Sequence, residues 1–131
     1  MWKISKQSFG FVLTFSGPQS PEDLQAWLQE AQRQLQAPLP ANWGVVVDMR
    51  ELPALSAASQ AVMQSGQQAF KRQGMVRSAV ALSDAVTTMQ FRRLARSSGI
   101  DQWERYINVQ TVDNWQTAAK RWVVEGVEPP L

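Results

Sequence analysis

The sequence contains no histidine and no cysteine. Without cysteine there is no disulfide, no thiol nucleophile and no thiolate metal site. Without histidine, Ser-His-Asp and Cys-His catalysis are excluded, as is any zinc site built on imidazole. No side chain of ordinary pKa titrates near neutrality. Charge is scarce as well: Asp, Glu, Lys and Arg make up 18% of the chain, against roughly 25% in an average protein. Long apolar runs are missing. Val45-Val46-Val47 is broken at Asp48, whereas a transmembrane helix needs about 20 apolar residues. The start, Met1-Trp2-Lys3-Ile4-Ser5-Lys6, lacks the apolar stretch of a secretory signal. Together with the absence of cysteine, this sets the expectation of a cytoplasmic protein without a membrane span.

What is present supports a folded domain. The 131 residues are 44% apolar, enough for one domain over residues 1–131 that buries roughly two-thirds of its unfolded surface. Glutamine, with 16 copies, takes much of the place of charge and falls mainly on predicted helix surfaces. The net charge of +2 is unevenly spread. Residues 1–70 carry −1, residues 71–105 carry +4 and residues 106–131 carry −1. An anion-facing surface is therefore expected in the middle third.

Periodicity predicts the elements. Trp2 and Ile4 alternate with polar residues as a short strand, and Gln7-Ser8 is the expected hairpin turn. Phe9, Phe11, Leu13 and Phe15, two apart, are expected on one side of a second strand. Ser20-Pro21-Glu22-Asp23 opens a helix with an N-cap, a first-turn proline and two carboxylates at the positive end of the dipole. Leu24, Trp27, Leu28, Ala31 and Leu35 follow at helical spacing. Trp43 to Met49 reads as a strand buried on both faces. A second helix is expected from about Ser56 to Gly74, then a strand from Val76 to Leu82. A third helix, capped by Ser83 or Asp84, runs to Gly99, and Trp103 to Val109 is the last strand. Thr111 or Asp113 opens a fourth helix that Gly126 closes, leaving Glu128-Pro129-Pro130-Leu131 as a tail. The order β-β-α-β-α-β-α-β-α predicts an α/β fold. Its single five-stranded sheet is mostly parallel, with an antiparallel N-terminal hairpin strand and four helices.

This order, together with two segments, resembles the bacterial STAS domain, the anti-sigma-factor-antagonist fold. It is most similar to small bacterial proteins grouped as STAS/SEC14-like. The segments are Gly44-Val45-Val46-Val47-Asp48-Met49-Arg50-Glu51-Leu52 and Phe91-Arg92-Arg93-Leu94-Ala95-Arg96-Ser97-Ser98-Gly99-Ile100. The resemblance implies a regulatory domain that acts by binding a protein or a small anionic ligand. Its SEC14-like side implies a carrier of an apolar or lipid-like ligand instead. The family's phosphorylatable Asp-Ser-Ser/Thr-Gly motif is missing. Leu55-Ser56-Ala57-Ala58-Ser59 stands there, with Ala58 at the phosphorylated position unless a one-residue shift brings in Ser59. The phosphoswitch is therefore not carried over.

Two constellations are candidates for function. Asp48, Arg50, Ser56 and Ser59 in the region after the third strand, and Ser83, Asp84, Thr87 and Thr88 after the fourth, would lie beyond the carboxyl ends of the strands. Ligands of open parallel sheets bind there, and helix N-termini suit anions. The plainer account is that Ser56 and Ser83 or Asp84 only cap helices and Arg50 pairs with a neighbouring carboxylate. The second is the basic face of the third helix, Arg92, Arg93 and Arg96, which Lys71, Arg72 and Arg77 could extend. Six tryptophans divide between core (Trp27, Trp115, Trp122) and half-exposed strand starts (Trp2, Trp43, Trp103). Those strand starts could anchor a homodimer or line an apolar cavity. No phosphate loop, nucleophile elbow or metal-ligand spacing is present. The expectation is a non-catalytic domain without cofactor or metal, and nucleic acid is a poor fit to so small a charge excess. A carboxylate enzyme using Asp48, Glu51 or Asp84 is a further alternative.

Overall fold

A computed structural model describes residues 1–130; Leu131, assigned above to the tail, lies outside them. The chain forms one five-stranded sheet and four helices in the order β1(Trp2–Gln7), β2(Gly10–Ser16), α1(Pro21–Leu35), β3(Gly44–Glu51), α2(Ala57–Arg72), β4(Ser78–Leu82), α3(Ala85–Ser98), β5(Glu104–Asn108), α4(Trp115–Glu125). Strands lie side by side in sequence order, β1-β2-β3-β4-β5. β1 pairs antiparallel with β2, and all later pairs are parallel.

The two faces of the sheet are covered unequally. Phe11, Leu13 and Phe15 of β2, Val45, Val47 and Met49 of β3, and Val80 and Leu82 of β4 pack on α1, α2 and α3. All three crossover helices therefore share one face, as successive crossovers of one hand between neighbouring strands require. Val46, Ala79, Ala81 and Ile107 point to the other face, where α4 lays Trp115, Ala119, Trp122 and Val123 on them. Because the strand order never reverses, the sheet has no topological switch point and opens no crevice of the kind where α/β ligands bind.

Aromatic rings fill the first core. Trp27 stacks on Phe70 with centroids 6.0 Å apart, and Phe15 meets Trp27 edge-on at 5.2 Å. The Trp27 ring needs Gly66: a Cβ there would lie 2.4 Å from the indole. α1 starts as its sequence predicts, with a full capping box between Ser20 and Asp23.

Several elements depart from expectation. Phe9 sits in the hairpin turn and packs on the α4 side, opposite Phe11, Leu13 and Phe15. The reason is register: Gln7 pairs with Gly10, so the turn is Ser8-Phe9. Gly10, at φ +139°, presses on Gly44 with no room for a side chain and ends the alternation. Trp43 is buried, not half exposed; its indole donates to Gln73 O at 3.2 Å and meets Phe11 edge-on. β3 runs through Glu51, because Glu51 O takes the N–H of Gly17 and prolongs the sheet. Neither Thr111 nor Asp113 caps α4; Asn114 holds that position, without a side-chain hydrogen bond. No helix among the described residues is long and apolar enough to cross a membrane.

Candidate binding groove

The candidates that follow the third strand do not converge with those that follow the fourth. Asp48 and Arg50 lie within β3 and not after it. They pair at 2.9 Å on the α4 side, where the Arg50 guanidinium sits 4.9 Å from the Trp115 ring centroid. Ser56 caps α2 by accepting the N–H of Ser59. Ser59 is fully buried and its hydroxyl donates to Gln19 O at 2.8 Å, tying α2 to the start of α1. Thr87 is equally buried and donates to Asp84 Oδ2 at 2.8 Å. Thr88 donates to Asp84 O. Asp84, not Ser83, caps α3, taking the N–H groups of Val86 and Thr87. These hydrogen bonds, the Thr87 hydroxyl first among them, hold its carboxyl below the usual range. The positive end of α3 is thus already answered by the chain's own carboxylate.

What the structure does assemble lies along α3 and β5. β5 is an edge strand. The side chains of Glu104 and Tyr106 face the α1–α3 side of the sheet, and Arg92 reaches down from α3 to lie 4.7 Å from the Tyr106 ring centroid. Arg92, Arg96 and Arg105, with the carboxylates of Asp101 and Glu128 and with Tyr106 and Asn108, border an open groove of about 580 Å³. Arg92, Tyr106 and Asn108 also border an adjoining hollow of about 410 Å³ that reaches Ser83, Asp84 and Thr88. At the other end Arg105 holds Glu128 bidentately, at 2.8 and 2.9 Å. Its guanidinium also stands 4.1 Å from the Trp122 ring centroid.

The outer face of α3 is unusual. Val86 is 57% exposed and Met89 70% exposed. At 100° per residue they share a stripe with Arg93 and Arg96. Arg92, Arg93 and Arg96 have no carboxylate within ion-pairing distance among the described residues. Of the residues that could extend this patch, Arg77 and Arg72 are placed elsewhere and only Lys71 comes near α3. Arg77 donates to the carbonyls of Val123 and Val124 at the end of α4. Arg72 borders a hollow between α1 and α2. Lys71 lies near the C-cap of α3, above the half-exposed Trp103.

Beneath Arg92 is a buried polar chain that the sequence did not announce. Glu104 is 5% exposed and has no basic partner. Ser78 Oγ donates to Glu104 Oε1 at 2.8 Å, while Tyr106 Oη lies 2.5 Å from Glu104 Oε2 and 3.0 Å from Phe91 O. Tyr106 has one proton for two acceptors. The arrangement is fully satisfied when Glu104 is protonated, donating to Tyr106, which then donates to Phe91 O. Burial pushes the Glu104 carboxyl up to about 7. Burial and the adjacent carboxyl also raise the Tyr106 hydroxyl. Glu104 borders an apolar cavity of about 40 Å³ among Trp27, Phe70, Met63 and Phe91. Such a space holds one to three waters and no acyl chain, so the carrier reading gains nothing from it.

Among the described residues no group of acidic side chains is placed to hold a metal ion. No protein-family model matches the sequence, and no curated protein matches it either.

Proposed function

We propose that this domain is a non-catalytic binding module of STAS-like architecture that docks an acidic protein partner on the exposed face of α3. The α/β order, the mixed sheet and the four helices agree with that architecture. The phosphoswitch has no place in the reading, since Ala58 stands at the aligned position and the Ser59 hydroxyl is sealed inside the fold. The observation that carries the proposal is the stripe Val86, Met89, Arg93, Arg96: two exposed apolar side chains beside two cations without a carboxylate among the described residues. Apolar anchors ringed by guanidinium groups are the chemistry of a protein contact, and unpaired cations select an acidic surface.

Capture from a lysate of the source cells tests it. Immobilised wild type is expected to retain an acidic protein that M89D/R93E bait loses. Retention of the same proteins by both baits would overturn the assignment of this face.

A further inference from the structure

We propose that the open edge of β5 receives an extended acidic segment of the partner, added as a sixth strand whose carboxylates meet Arg92 and Arg96; this rests on the docking reading above.

Backbone alternation supplies the first argument. Ser78 N donates to Trp103 O and Val109 N donates to Leu82 O. Main-chain groups at 103, 105, 107 and 109 therefore point toward β4, and those at 104, 106 and 108 point to the open edge. Three of the outward groups are already used. Glu104 N donates to Ile100 O, Glu104 O accepts from Arg105, and Asn108 O accepts from Thr111 and Val112. The N–H and C=O of Tyr106 and the N–H of Asn108 remain, a short template for an added strand.

Charge names the occupant. Two guanidinium groups of the groove, Arg92 and Arg96, have no carboxylate partner among the described residues; Asp101, which also lines the groove, lies beyond ion-pairing distance of both. The third, Arg105, already grips a carboxylate from an irregular segment, Glu128. The chain's own tail thus shows, at one end of the groove, the recognition that the other end leaves unfilled. Bidentate arginine–carboxylate pairing is the strong form of such contacts.

The probe is a short peptide alternating glutamate and valine, titrated at low salt into the full chain and followed by amide NMR and hydrogen exchange. The expected result is binding that protects the Tyr106 and Asn108 amides and weakens about tenfold for each of R92Q and R96Q. A peptide N-methylated on alternate residues, which cannot donate to the edge, is expected not to bind. If both peptides bind equally and shifts stay on Val86, Met89 and Arg93, strand addition is overturned and docking on α3 stands. If neither binds, both readings fall.

Discussion

Replacing Glu104 with Gln should remove a stability slope that this chain has no other side chain to produce. In the folded state the carboxyl holds its proton up to about pH 7, against an ordinary value of 4.5. Between those values the unfolded chain has lost the proton and the folded chain has kept it. The folded state then binds more protons, so stability falls as pH rises through this window and levels off above 7. The separation corresponds to about 3 kcal/mol, a midpoint shift of roughly 1–3 M in urea. The carboxylates whose values are lowered, Asp23, Glu30, Asp84 and Glu128, act only at the acid end. Histidine, the usual source of a slope near neutrality, is absent. Gln copies the protonated carboxyl: its oxygen accepts from Ser78 and its amide donates to Tyr106, which keeps Phe91 O. Its second amide hydrogen is left over at a cost of about 1 kcal/mol. E104Q should therefore lie within about 0.5 kcal/mol of wild type at pH 5 and be about 2 kcal/mol more stable at pH 8. Urea titrations followed by tryptophan fluorescence at both pH values measure this. A wild type equally stable at pH 5 and 8, or an E104Q variant with the wild-type slope, would refute the reasoning.

Other outcomes follow from the packing. G66A gains helix propensity but drives a Cβ to 2.4 Å from a rigid, buried indole; a net loss of about 1–3 kcal/mol is expected in thermal unfolding. S59A should cost about 1–2 kcal/mol by orphaning Gln19 O, whereas S59D should cost more than about 3 kcal/mol by burying a charge. A phosphomimetic that left the melting temperature unchanged would show the site to be accessible. V86S/M89S, at exposed positions, should change stability by less than about 0.5 kcal/mol yet weaken partner retention.

The element order was legible because each element carries an independent local signal. The alternation Phe11, Leu13, Phe15, the box Ser20-Pro21-Glu22-Asp23 and the glycines after α3 and α4 each act within a few residues. Phe9 and Trp43 were misread because a close approach to a neighbouring strand or helix end decides them, and no local pattern encodes that approach. The same limit divided the candidate site. Arg92, Arg93 and Arg96 were visible from helical angle alone. Val86 and Met89, apolar residues on that polar stripe, were open to the same arithmetic and were missed. Tyr106, Arg105 and Glu104 join the groove only through the parallel pairing of β4 with β5. A glutamate opening a strand looks exposed until α3 is laid over it. Ser59 and Thr87 stood among the candidate binding residues because hydroxyl spacing does not reveal that both side chains are spent on the backbone or on Asp84.

The monotonic strand order also bears on how the chain leaves the ribosome. Synthesis proceeds from the N-terminus, and every strand after the hairpin joins the edge that the preceding strand has just exposed. The first core can thus close as translation advances. The second cannot: Val46, Ala79, Ala81 and Ile107 wait for Trp115, Trp122 and Val123 of the last helix. Until α4 emerges, a nearly finished sheet presents one bare apolar strip to its surroundings. A chain stalled before Trp115 is the form that chaperones should hold longest.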